Sequence, residues 1–176
     1  AIEQDSANVE AYMLKAQILR QMADSTMPPG EYRKYYVQAR EAEEQAIQFD
    51  PGIRSDIKGR RDLAYFQQFQ RGGKAFNRGR KNSDTTEFRR AAAFFSAAGA
   101  IRPDSASAHL NEAYARLNMN QRKEAIPVLE RYAEKADTIE KSAYTLLAQL
   151  YMTNDKIDDA IPLLEQATDA YPDEDE

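Results

Sequence analysis

The feature that most constrains this chain is a duplication. The stretches KEAIPVLERYAEKAD (123–137) and DDAIPLLEQATDAYP (158–172) superpose without a gap at an offset of 35 residues, and the segments ahead of them align as well, Ala113 above Ala148. Each copy carries one apolar stripe, which a short helix cannot bury by itself. Stacking neighbouring units buries a continuous core, so a fixed period of this size predicts a repeat array.

The rest of the chain suits such an array. Ala, Leu, Gln, Glu, Arg and Lys dominate, and all are good helix formers. Apolar residues recur at spacings of three and four, as at Leu146, Leu147, Leu150 and Tyr151, and strand-like alternation is almost absent. Breaks at Pro28–Gly30, Asp50–Gly52, Asn82–Asp84, Arg102–Asp104, Asn118–Gln121, Asp137–Thr138 and Asn154–Lys156 predict about eight helices. Their expected spans are 6–22, 31–49, 54–79, 85–101, 105–118, 121–136, 139–153 and 156–170. Pro127 and Pro162 share one repeat position. Each is expected to remove one backbone hydrogen bond and bend its helix on the solvent side.

Two helices per unit of about 34 residues is a tetratricopeptide spacing. The last unit resembles that family best. Tyr144, Leu147, Ala148, Tyr151, Ala160, Leu164, Ala167 and Pro172 stand where the family places Trp, Leu, Gly, Tyr, Ala, Phe, Ala and Pro. The preceding unit keeps Ala113, Leu117, Ala125 and Leu129, and departs with Tyr132 at a small-residue position and Asp137 at the proline position. The resemblance implies an all-α fold of the TPR type, an α-solenoid of four antiparallel helix pairs wound into a right-handed superhelix.

In the first half, Ala39, Ala46 and Pro51 fit one second helix, and Ala91, Phe95, Ala98 and Pro103 fit another. The distances from Ser6 to Pro51 and from Pro51 to Pro103 are 45 and 52 residues; against a 34-residue unit they leave insertions of 11 and 18. The expected layout is a tail of a preceding repeat (1–5), repeat 1 (6–52, with an inserted loop 23–30), repeat 2 (53–104, with a long first helix and a loop 80–87), repeat 3 (105–138), repeat 4 (139–173) and an acidic tail (174–176). In this frame Ala1 aligns with Ala46 and Ala167, and Ser6 with Pro51 and Pro172. The opening AIEQDSA is therefore expected to close a repeat whose first helix lies upstream, in a longer array.

Catalytic and metal chemistry find little to work with. There is no Cys, which excludes disulfides, thiolate catalysis and cysteine zinc sites. The single His109 lies on the helix 105–118, at the position where the family packs a large aromatic between paired helices. A lone His builds no transition-metal site, and no nucleophile-elbow motif accompanies it. RGGKAFNRG (71–79) lacks the phosphate-loop spacing and follows no strand, so Gly72 and Gly73 read as close-packing positions. The aromatic residues Tyr32, Tyr35, Tyr36, Tyr65, Phe66, Phe69, Phe76, Phe94 and Phe95 have helical spacing that makes most of them core, with one or two expected at most to line the groove. The expectation is a chain with no enzymatic activity, cofactor or metal. No apolar run approaches the roughly 20 residues that span a bilayer. The compartment stays open between the cytoplasm and, had a signal peptide been removed, the periplasm or another extracytoplasmic space.

Charge gives a sharper hint. The net charge is −5, yet residues 54–90 hold eleven Lys+Arg against four Asp+Glu. In the family, first helices line a groove that holds extended or helical peptides. Carried over, that face comprises Gln70, Arg71, Lys74, Asn77 and Arg78 in repeat 2. In repeat 3 it comprises Ser107, Leu110, Asn111, Tyr114 and Asn118, and in repeat 4 Ser142, Thr145, Gln149, Met152 and Thr153. In repeat 1 it comprises Glu10, Met13, Gln17, Arg20 and Gln21. The expected function is a protein–protein interaction scaffold, with the basic region meeting an acidic partner segment. Two alternatives are single-stranded nucleic-acid binding, against which the acidic remainder argues, and self-association through exposed array ends. The basic region could instead neutralise the neighbouring acidic EAEEQ (41–45) within the chain.

Overall fold

A computed structural model describes residues 2–25, 31–154 and 156–172, with side chains from residue 8 onward in the first of these segments and Ser25 excepted. Among the described residues there are eight α-helices and no strands: α1 (Ile2–Ser25), α2 (Tyr32–Phe49), α3 (Arg54–Asn82), α4 (Thr85–Ile101), α5 (Ala106–Leu117), α6 (Arg122–Lys135), α7 (Lys141–Met152) and α8 (Ile157–Ala170). The helical-repeat fold is the one the residue pattern predicts. The chain divides into two compact units, Ala1–Asp104 and Ser105–Glu176.

In the first unit α1 pairs with α2, α3 with α4, and α2 also packs on α4. Alanines make these approaches close: Ala16 meets Ala39 and Ala42, and Ala93, Ala97 and Ala100 meet Tyr32 and Tyr36. Two expectations need correction here. The helix expected to start at Ser6 starts at Ile2, because nothing between Ile2 and Ser6 is a Pro or Gly that would stop it. The expected loop 80–87 shrinks to Ser83 and Asp84. The chain Arg80–Lys81–Asn82 continues α3, Ser83 closes it in the left-handed region (φ 52°), and the Asp84 carboxylate accepts from Thr86 N at 2.8 Å to open α4. The extra length of this unit therefore goes into a 29-residue helix, about 43 Å long. Of the loop expected at 23–30, residues 23–25 belong to α1 and 26–30 lie outside the described residues.

Gly72 and Gly79 let α3 and α4 touch. The ring of Phe95 lies over Gly72 and that of Phe88 over Gly79, and Phe69 and Phe76 meet those rings edge-on at 5.3 and 5.4 Å. Gly73 faces open space, so close packing accounts for only one of the adjacent pair.

In the second unit α5 pairs with α6, α6 with α7, and α7 with α8 around Ala113, Ile126, Val128, Leu129, Leu147 and Leu150. His109 and its repeat equivalent Tyr144 are both buried, as packing residues. Pro127 and Pro162 sit inside α6 and α8 on exposed positions. Tyr132, the residue that departs from the small-residue pattern, has a task of its own: its hydroxyl accepts from Glu140 N at 3.1 Å and pins the turn into α7. The duplication also marks an open face. Ile126 and Leu129 are 6% and 1% exposed in the core that α7 shares, whereas their equivalents Ile161 and Leu164 on α8 are 52% and 42% exposed.

Candidate functional site

The expected partner-binding residues fall in both units, and the structure treats them differently. On α3, Gln70, Lys74 and Asn77 are exposed. Arg71 turns sideways: its guanidinium pairs with Asp24 at 2.7 Å and lies 4.3 Å from the centroid of Phe94. Arg78 pairs with Glu87 at 2.7 Å, and Arg90 holds the other oxygen of the same carboxylate at 2.6 Å. Further along the helix, Arg61 reaches Glu43 at 2.6 Å and Glu44 at 2.7 Å. Four cations of the basic region are thus committed within the unit, and Arg61 does neutralise the acidic stretch 41–45. Burial lowers the Arg61 pKa, but its hydrogen bonds to Glu43 and Glu44 outweigh that and hold it above the ordinary arginine value. Arg20, expected on the binding face of α1, instead pairs with Glu43.

Arg78 holds the Glu87 carboxyl below the usual carboxylate range, against the opposing effect of burial and with help from Arg90. A depressed folded-state pKa adds stability above the unfolded value of about 4.5 and loses it as pH falls through the folded value. A Glu87→Gln variant should accordingly be less stable than wild type near pH 7, with the gap closing below about pH 4.5. Urea midpoints measured from pH 7 down to pH 3 check this; a gap that stays constant would contradict it.

On the second unit the expected residues come together better. Gln149 and Met152 line one cleft of about 440 Å³ with Leu117, Asn120, Arg122, Leu146, Leu150 and Thr153. Thr145 is exposed one turn back along α7. Met152 is 55% exposed, a large apolar side chain left in solvent beside an apolar cleft. On α5, Asn111 and Tyr114 are half-buried and Leu110 belongs to the core, and Asn118, just past its end, is exposed. The amides of Asn111 and Asn118 donate to Ser107 O and Tyr114 O at 2.8 Å, and the Thr145 hydroxyl donates to Lys141 O at 3.1 Å. These polar groups are therefore fixed on their own helices. Tyr151 ties α7 to α6 by donating to Glu130 at 2.9 Å, and burial followed by that bond raises its pKa.

Residue spacing gave no sign of Leu117 and Leu146 as lining groups, since an apolar residue on a helix reads as core. Exposed Leu63 on α3 was hidden in the same way.

Among the described residues no group of His, Cys, Asp and Glu is arranged to hold a metal, and no helix is long and apolar enough to cross a membrane. No curated protein sequence matches the chain. Residues 141–174, spanning α7 and α8, match the family model of the tetratricopeptide repeat.

Proposed function

We propose that this chain is a non-catalytic protein-interaction scaffold that holds a segment of a partner protein against α5 and α7 of its second unit. Asn111, Tyr114, Asn118, Thr145, Gln149 and Met152 are the contact residues. The observation that carries the reading is the cleft beneath exposed Met152, apolar at its base and polar along its rim. Such a surface suits a peptide that inserts one apolar side chain and spends its polar groups on the rim. The tetratricopeptide match over 141–174 supports it, because that family works chiefly as scaffolds for partner proteins.

A photo-crosslinking residue at Gln149 should trap a partner, and Met152→Glu should abolish that product, because a carboxylate would then have to be desolvated in the contact. The same crosslinker at Glu134, exposed on α6, should trap nothing. Equal yields at both positions would overturn the reading.

A further inference from the structure

The first unit carries a second cleft, of about 480 Å³, that lies away from the outward face of α3. Its walls come from α2, the start of α3 and the end of α4, and its floor includes Ile47, Ile57 and Ile101, all buried. Two of its carboxylates are already engaged, Glu44 by Arg61 at 2.7 Å and Asp62 by Arg102 at 2.5 Å. Arg40, Arg54 and Lys58 also line it, and none of them makes an ion pair among the described residues; Asp104 is the one carboxylate left to face them. Arg40 in addition has a buried Nε–H with no acceptor among the described residues. Cations of one sign over a low-dielectric floor concentrate their field, which raises the local concentration of an oppositely charged ligand.

We propose that this cleft binds an acidic segment of a partner protein in extended form. Arg54 and Lys58 stand one helical turn apart, about 5–6 Å between their Cβ atoms. That is near the roughly 6.6 Å between alternate side chains of an extended chain. Carboxylates at positions i and i+2 of the partner therefore meet Arg54 and Lys58, and a neighbouring one meets Arg40. The partner is a peptide and not single-stranded nucleic acid because the lining holds no aromatic side chain on which a base could stack. The proposal is independent of the α5–α7 cleft. It also moves the basic contact from the Lys74 and Arg78 face of α3 to the opposite, N-terminal end of that helix.

The test is fluorescence anisotropy of the full 176-residue protein with a labelled peptide of about eight residues, Asp or Glu at alternate positions around one Leu. Its amide twin, with Asn and Gln, is the control. The expected result is binding of the acidic peptide alone, weakened at least about tenfold by Arg54→Glu with Lys58→Glu and weakened again by salt near 0.3 M, where screening is short-ranged. Both side chains are exposed, and the Arg54 substitution places an acid in the first turn of α3, which favours the helix, so the variant folds. Arg40→Gln should weaken binding by a smaller factor, and Lys74→Glu should leave it unchanged. Absence of binding at low salt, equal affinity for the amide twin, or indifference to the double variant overturns the proposal. So does an oligonucleotide that binds more tightly than the peptide and loses affinity with the same variant.

Discussion

Glu43→Ala is expected to be among the most destabilising single substitutions in this chain. Glu43 lies on α2 with its carboxylate fully buried, held on one oxygen by Arg20 of α1 and on the other by Arg61 of α3 at 2.6 Å. One side chain thus ties three helices. Removing one partner of a buried ionic network costs about 3–5 kcal/mol where the charges left behind are fully enclosed. Arg20 and Arg61 keep 21% and 19% of their side-chain surface, and Arg61 retains Glu44 and the Arg40 carbonyl, so part of that cost is relieved. The expected loss is about 2–4 kcal/mol, read as a drop in the urea midpoint. A double-mutant cycle with Arg20→Met should show strong coupling, because the second substitution removes a cation that the first has stranded. A loss below about 1 kcal/mol would place Glu43 among ordinary surface pairs.

The second large effect separates two adjacent glycines. A Cβ on Gly72 would sit 2.8 Å from ring atoms of Phe95, whereas a Cβ on Gly73 would have nothing within 4 Å. Phe95 is fully buried and its ring already meets that of Phe69 edge-on at 5.3 Å. Gly72→Ala should therefore cost about 1–3 kcal/mol through overpacking, despite alanine's better helix propensity. Gly73→Ala, free of that clash, should stabilise by about 0.5–1 kcal/mol. Thermal or urea unfolding of the two variants side by side gives the signs. Two shifts in the same direction would refute the packing account.

The duplication made α5 to α8 legible, since the same apolar pattern appears twice and each copy vouches for the other. The turns at Asp50–Gly52 and Arg102–Asp104 were legible through their breakers. The break at Asn82–Asp84 was legible in the same way, but α3 runs three residues past its expected end at 79, because Arg80–Asn82 holds no residue that stops a helix before Ser83 takes a left-handed conformation. At the site, the family's first-helix face carried over onto α7 gave Gln149 and Met152, and both line one cleft. Arg71 and Arg78 were harder. Their helix positions face outward, but a guanidinium on a long stem swings to whatever carboxylate stands beside it, and Asp24 and Glu87 come from other helices. Arg40 was invisible for the converse reason. In sequence it adjoins an acidic run, and only folding sets it beside Arg54 and Lys58.

Phe95 seated on Gly72 and Phe88 on Gly79 amount to a ruler with two notches. The glycines are seven residues apart on α3 and the rings seven apart on α4. Neither helix can slide by a turn without driving a ring into a Cβ. A residue inserted or deleted inside either seven-residue interval would unseat one ring while the other stayed in place, whereas a change ahead of Gly72 or in the Ser83–Asp84 turn leaves the spacing on each helix as it was. Within this helix pair, tolerance of length change is set by two contacts, and it is lowest between them, in the C-terminal third of α3 and the stretch of α4 that faces it.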